Sequence, residues 1–477
     1  MYPETLLVIY RDSQDMTLKL MALLCLKTYF SNTMTAKKRA FKKAGKCWPD
    51  TANIKKEEFA KLRAILVEAT RLEFSPALRK QLDEVLVVVC CCRYPLYAEE
   101  FFMYLKAALE NLAQELGTGH VNEKSYAVVK TAVKVFQGLH KANQYANDKA
   151  FDAIVSNIFP ALVNCWEILT NNLDAFVKNK HIQGLKMNLK IDTLFLYMLL
   201  NAGEAPQNNV IEQCLTKLID KSETVLGLAK QNEHIQTQND DLYCPLRFDV
   251  VVLTYDLAKI MGKSPFSFSN LIKRLMNLSF NVLKLDWKDV MVPKSALLLL
   301  YGILRQFFYY CETEYFISSK MQTRMKVSPG LQQHCRSTYF EFLNKDGTVQ
   351  QLVSAMILKL MCINDEEDGH KSIESEIESS EVTGIDHLTD EIEVPIKRIC
   401  ISVIELLSLR VPQIMVPMLI YLIESVVSGN MKDAELKVKD NIIMLIGLLP
   451  TVYQKLKRTD TPNIDGFLGW FSEQSNS

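Results

Sequence analysis

The chain has 477 residues and a mass of 54.5 kDa, with 48% hydrophobic and 23% charged residues, which excludes wholesale disorder. Its 17 glycines and 15 prolines are few for that length. An all-β sandwich needs a turn every few residues, and a Rossmann or TIM chain needs glycine at its strand ends, so a mostly helical fold is what remains. Lys+Arg 55 balance Asp+Glu 55. Without a basic excess, nucleic acid is not expected as a partner.

Apolar residues recur at helical spacing along nearly the whole chain. Residues 61–74 place Leu62, Ile65, Leu66, Ala69 and Leu72 on one stripe. The next helix opens with Ser75 as N-cap and Pro76 at its first position. It carries Leu78, Leu82, Val85, Leu86 and Val89 on one face and stops at Tyr94-Pro95. Residues 101–112 begin another. Further helices are predicted over 123–140, 148–169, 185–200, 207–228, 241–261, 267–285 and 293–311. After an irregular stretch, 332–343 and 347–362 read as a pair, and helices resume over 394–409, 411–427 and 434–453. A pair per roughly 40–47 residues is the cadence of HEAT-type repeats, about ten in this length. The expected fold is all-α, a superhelical solenoid of helical hairpins. No fixed-period consensus supports it; the pairing of helices does.

Nothing in the sequence supports catalysis, and neither an enzyme nor a cofactor is expected. Gly262-Lys263-Ser264 resembles the end of a phosphate-binding loop, but Leu257 stands where that pattern requires glycine, and a helix precedes it instead of a strand. His334, Cys335, Cys311 and Cys362 lack the C-x₂₋₄-C spacing of a structural zinc site, and the run Cys90–Cys92 cannot converge on one metal from a helix. The histidines, among them His181, His234 and His387, are scattered. Asn277-Leu278-Ser279 fits a glycosylation sequon inside a predicted helix and reads as a chance match. Cysteines such as Cys25, Cys165 and Cys400, set among apolar helical residues, read as small hydrophobes in a reducing compartment. The N-terminus lacks the basic start of a signal peptide. The late apolar run 411–427 is interrupted by Pro412, Gln413, Pro417 and Glu424, short of the ~18 clean residues of a span. No membrane partner is expected.

Charge is distributed unevenly. Lys37, Lys38, Arg39, Lys42, Lys43, Lys46, Lys55, Lys56 and Lys61 crowd one stretch. It reads equally as a localisation or nucleic-acid patch and as a solvated inter-helix loop. The stretch 364–393 carries Asp365, Glu366, Glu367, Asp368, Glu374, Glu376 and Glu378, then Glu381, Asp386, Asp390, Glu391 and Glu393, against Lys371 alone. It has no apolar period and reads as a long exposed loop that captures a basic partner.

Taken in order, Lys19, Ala22, Leu26-Lys27, Trp48, Arg63, Arg79, Gln81-Leu82 and Tyr94-Pro95 make the first hundred residues resemble the N-terminal domain of the importin-β (karyopherin-β) nuclear transport receptors. Lys19, Ala22 and Leu26-Lys27 match the end of that family's second helix, with Thr28 where asparagine is usual, and Trp48 follows an enlarged basic loop. Glu57, Glu58, Leu62, Arg63 and Leu66 suit the next helix. Arg79, Gln81-Leu82, the aliphatic run 85–89 and Tyr94-Pro95 suit the one after, with Tyr97 replacing the family tryptophan. The acidic stretch followed by Lys397, Arg398 and Cys400 is similar to the larger importins.

The resemblance implies a Ran-binding N-terminal domain over 1–115, a HEAT array over 116–363, the acidic loop over 364–393, further HEAT helices over 394–456 and a tail over 457–477. It implies Ran-GTP as a partner, held by the second helices of the first repeats, with the acidic loop as an auxiliary contact. Protein cargo and phenylalanine-glycine nucleoporins are the other implied partners, and the nucleus, nuclear envelope and cytoplasm the implied locations. Residues 1–9 read as the end of the family's first helix, so a partial or shortened receptor is expected. A HEAT scaffold outside transport is the alternative reading.

Overall fold

The computed structural model describes residues 2–44, 64–66, 68–69, 75–92, 96–117, 123–142, 149–201, 208–232, 243–263, 271–285, 287, 290–310, 314–318, 323–326, 329–330, 333, 337, 341–343, 347–363, 394–428 and 436–447. Among them the structure is helical except for one short hairpin. The chain divides into two compact units: residues 1–207 with 236–249 and 382–387, and residues 208–235 with 250–381 and 388–477.

The first unit contains α1 (Tyr2–Asp12), α2 (Met16–Ala44), α3 (Pro76–Cys92), α4 (Leu96–Gly117), α5 (Glu123–Ala142), α6 (Lys149–Asn171), α7 (Leu173–Lys178) and α8 (Ile182–Asn201). Residues 64–66 and 68–69 are also helical, with Leu66 buried. Asp15 starts α2: its carboxylate accepts the Thr17 N–H at 2.8 Å and its carbonyl the Lys19 N–H at 3.0 Å, as an N-cap does. The Ser75 carbonyl accepts the Arg79 N–H at 2.8 Å, so α3 begins at Pro76 as the sequence predicts.

These helices alternate between two layers. α2 packs on α3, α3 on α5 and α5 on α8, while α4 packs on α6. Chain neighbours such as α4 and α5 touch across the layers. The stripe Leu78, Leu82, Val85, Leu86 and Val89 is buried throughout, which is why α3 can serve partners on both sides. Aromatic rings join the layers: Phe102 meets Phe136 at 4.4 Å, and Trp166 stacks on Phe195 at 4.9 Å. The Trp166 indole donates to Asp192 at 2.6 Å. The Asn188 amide then donates to Asp192 at 3.0 Å and to Asp249 at 2.5 Å, so these buried carboxylates are hydrogen-bonded where they lie.

α6 holds the segment Ala153–Asn171, long and apolar enough by composition to cross a membrane. It is a core helix here. Ile154, Ile158, Leu162, Cys165, Trp166 and Leu169 are buried, and Asn157, Pro160 and Asn164 face outward. The Cys165 thiol donates to the Leu109 carbonyl at 2.9 Å. Burial pushes its pKa up to about 12, against a smaller downward pull from the Ala113 backbone, so the thiol behaves as an inert core group.

The second unit contains α9 (Asn208–Asn232), α11 (Ile272–Lys284), α12 (Met291–Tyr310), a hairpin of β1 (Glu314–Ser318) and β2 (Thr323–Lys326), α13 (Thr348–Leu358) with a 3₁₀ turn Leu360–Cys362, α14 (Ile396–Arg410), α15 (Pro412–Val427) and α16 (Leu436–Ile446). α10 (Tyr243–Lys263) gives the first unit its residues through Asp249 and the second unit the rest. The same alternation holds: α9 packs on α11, α11 on α13 and α13 on α16, while α12 packs on α14. The hydroxyls of Thr254 on α10 and Ser295 on α12 meet at 2.7 Å inside this core.

Three predicted features differ. The basic stretch before Trp48 is not a loop up to Ala44, because α2 continues through it as a 29-residue helix; alanine, lysine and arginine are strong helix formers. The irregular stretch after 311 contains the antiparallel hairpin, with Glu314 opposite Lys326 and Phe316 opposite Arg324; Tyr315, Phe316 and Ile317 favour a strand. The short helix α7 lies where no helix was predicted. The run 411–427 is one helix, as predicted: Pro412 occupies the first turn, where no N–H is needed, and Pro417 lies inside the helix.

Candidate functional site

A surface groove of about 530 Å³ lies between α9 and α11 in the second unit. Its floor is apolar, formed by the buried Leu226 and Leu278, with Leu285, 37% exposed, as a wall. Gly227 keeps it open: a Cβ there would meet nothing within 4 Å. The rim is polar, with Glu223, Lys230 and Gln231 from α9 and Asn281 from α11.

The rim charges are engaged at the side. Arg274 bridges Asp220 at 2.5 Å and Glu223 at 3.4 Å. The hydrogen bond to Asp220 lifts the guanidinium pKa further above its ordinary value, against a smaller opposing effect of burial. The Lys230 ammonium sits 4.9 Å from the centre of the Trp287 ring, and the Trp287 indole donates to the Val282 carbonyl at 2.9 Å. What the groove presents is therefore a greasy slot between occupied charges, suited to an aliphatic or aromatic side chain. No nucleophile–base pair lines it, and no group of three metal-ligating side chains occurs among the described residues.

The residues singled out from the sequence take other positions. Lys19 lies in the first turn of α2 with its ammonium 5.9 Å from the Tyr10 ring centre. Lys27 pairs with Glu84, half-exposed, between α2 and α3. Arg79 is buried. Its guanidinium donates to the Ala127 carbonyl at 2.5 Å and the Thr131 hydroxyl at 2.9 Å, and lies 3.3 Å from Asp83. Asp83 accepts from the Thr131 hydroxyl at 2.6 Å and lies 3.2 Å from the Lys134 ammonium. Consecutive carboxylates of α3 thus face opposite neighbours: Asp83 ties α3 to α5, and Glu84 ties it to α2. Lys27 and Arg79 thus serve separate inter-helix ties, one between α2 and α3 and the other between α3 and α5.

Trp48, Arg63 and Pro95 lie outside the described residues, as do Asp365, Glu366, Glu367, Asp368, Glu374, Glu376 and Glu378. So do His334, Cys335, His234 and His387. Gly262 and Lys263 end α10, a helix and not a strand-to-helix loop. His181 is structural: it accepts the Gly184 N–H at 2.9 Å and stacks on Phe176. The groove was not found from the sequence, and only Gly227 inside an otherwise good helix gives a trace of it.

No protein-family model matches the chain, and no curated protein does. Solved structures do. The chain is similar to the exportin Cse1 in its cargo-free, cytoplasmic state, with a TM-score of 0.61 at 12% identity over 94% of this chain and 43% of Cse1. It is similar to Lph2, a bidirectional nuclear transport receptor of S. cerevisiae, with a TM-score of 0.56 at 16% identity over 95% of this chain and 42% of Lph2. The chain therefore spans about two fifths of the length of each. At such identities the likeness is one of fold: an all-α array of HEAT-type hairpins, the fold that the importin-β resemblance implies.

Proposed function

We propose that the chain acts as an importin-type nuclear transport receptor, a carrier and not an enzyme. The observation that supports this is the alternating two-layer helix array, shared over nearly the whole chain with two nuclear transport receptors. Ran-GTP would be held by the second helices of the first hairpins, α2 foremost. Asp365, Glu366, Glu367, Asp368, Glu374, Glu376 and Glu378 would add a negative surface that speeds its capture. Protein cargo would bind elsewhere, and Ran-GTP and import cargo would weaken each other's binding by linkage. Such a carrier shuttles between nucleus and cytoplasm through the nuclear envelope.

The groove between α9 and α11 supplies what passage through a nucleoporin mesh needs. Burying one phenyl ring gains about 2 kcal/mol before ordering costs, far weaker than a millimolar contact. Weak single contacts that add by avidity let a carrier hold many repeats without being trapped.

Titration with Ran loaded with GTP or GDP tests the reading. The expected result is a strong GTP preference that weakens with added salt. Equal and negligible binding to both would leave a HEAT scaffold outside transport. Gly227→Phe fills the groove with a side chain of its own and should weaken retention on immobilised phenylalanine-glycine repeats. An unchanged retention would remove the groove from the reading.

A further inference from the structure

Half of the exposed large apolar residues among the described ones fall within residues 8–24: Val8, Ile9, Met16, Leu18, Met21 and Leu24, each 38–55% exposed. They lie on α1 and α2, which pack on each other. The inner faces of both helices are already apolar, with Leu6, Leu7 and Tyr10 buried on α1 and Ala22, Leu23, Leu26 and Phe30 on α2. A helix that is apolar all round is ordinarily covered all round.

The outer face of α2 is also without charge. At about 100° per residue, the exposed Thr17, Leu18, Met21, Leu24 and Thr28 and the half-buried Cys25 share about 120° of the circumference. The neighbouring cations are engaged elsewhere: the Lys19 ammonium lies 5.9 Å from the Tyr10 ring centre, and Lys27 pairs with Glu84. The Thr28 hydroxyl donates to the Leu24 carbonyl at 2.9 Å, so it is satisfied within its own helix.

The order of residues along the centre of this face selects the partner. Thr17, Met21, Leu24 and Thr28 follow at spacings of four, three and four, the interval of a helix–helix seam. From either end the series runs polar, apolar, apolar, polar. We propose that α2 pairs antiparallel with α2 of a second copy of this chain through this face, forming a two-fold homodimer. Met21 of each copy then faces Leu24 of the other, and Thr17 faces Thr28. A two-fold axis sets a face against itself, so a free charge on it would meet its like; this face carries none. Area agrees. The six side chains leave on the order of 500 Å² of apolar surface, toward the upper end of what a monomer keeps open. Covered in both copies they amount to about 1,000 Å², where specific interfaces begin. The pairing does not rest on the transport reading; it would compete with Ran-GTP for α2.

Sedimentation of the full chain over about 0.1–100 μM tests the proposal. The mass should rise from 54.5 kDa towards twice that value, with half-conversion at about micromolar concentration, as suits an interface of small area. Met21→Lys and Leu24→Glu each place a charge in the seam from an exposed position, and each should weaken pairing at least about tenfold. Mixed in equal amounts, the two variants should pair again, because the introduced ammonium faces the introduced carboxylate across the axis. A folding defect could not produce that rescue. A parent that stays monomeric at the highest concentration overturns the proposal, as do single variants that pair like the parent or a mixture that does not pair. So does a monomeric parent that binds vesicles of neutral phosphatidylcholine and loses that binding on Met21→Lys, since α2 would then lie on a lipid surface.

Discussion

Asp83 has no solvent exposure at all, so its charge has to be matched where it sits. Arg79, Lys134 and the Thr131 hydroxyl do this, and the guanidinium of Arg79 in turn reaches the carbonyl of Ala127. Removing the carboxylate leaves a buried guanidinium without its counter-ion. Asp83→Ala should therefore lower stability by about 3–5 kcal/mol. The adjacent tie is different in kind. Lys27 and Glu84 are 38% and 33% exposed, water screens them, and Lys27→Ala should cost less than about 1 kcal/mol. Urea denaturation of both variants, read as the shift in midpoint at constant slope, checks the contrast. Equal shifts would mean that burial does not set the worth of these pairs. The sequence identified both Lys27 and Arg79 by resemblance, but not their roles. The Arg79–Asp83 pair has a local i,i+4 spacing, but the ties to other helices are made with partners 48 to 57 positions away, which no local spacing records.

Among elements, the close approach of α3 and α5 has a second requirement. Gly138 on α5 lies against α3 so closely that an added Cβ would fall on the Cγ1 methyl of Val87. Valine is stiff at χ1, so the methyl cannot swing aside. Gly138→Ala should lower stability by about 1–3 kcal/mol even though alanine is the better helix former by about 1 kcal/mol. A variant as stable as the parent by thermal unfolding would show that the two helices can part without cost. Elements such as α3, α6 and α11 were legible because their buried faces write a 3.6-residue period into the sequence. The far half of α2 was not, since its run of lysines and arginine carries no apolar stripe and only helix propensity speaks for it. The groove was illegible for a related reason: Leu226 and Leu278 read as ordinary core, and only the pairing of α9 with α11 leaves a slot over Gly227.

For the molecule as a whole, the fold was legible in the pairing of helices, and the likeness to nuclear transport receptors in a few loose motifs. A hairpin array asks each position only to be apolar or polar, a demand that very different sequences meet, so 12–16% identity coexists with TM-scores of 0.56–0.61. Surface charge is free of that demand and can be set by function. A net charge of zero here conceals a stretch, 364–393, with twelve carboxylates and one lysine. In the proposed carrier that stretch acts at a distance, on encounter more than on the finished complex. Changing Asp365, Glu366, Glu367, Asp368, Glu374, Glu376 and Glu378 to their amides removes seven of the twelve charges, weakens the field and keeps side-chain size. The association rate with Ran-GTP should then fall by about tenfold or more at low salt, while the dissociation rate changes little. At about 0.5 M salt the parent and the variant should converge, because the Debye length there is only about 4–5 Å. Stopped-flow kinetics at both ionic strengths separates the cases: a change confined to dissociation would make these carboxylates direct contacts, and no change in either rate would remove them from Ran capture.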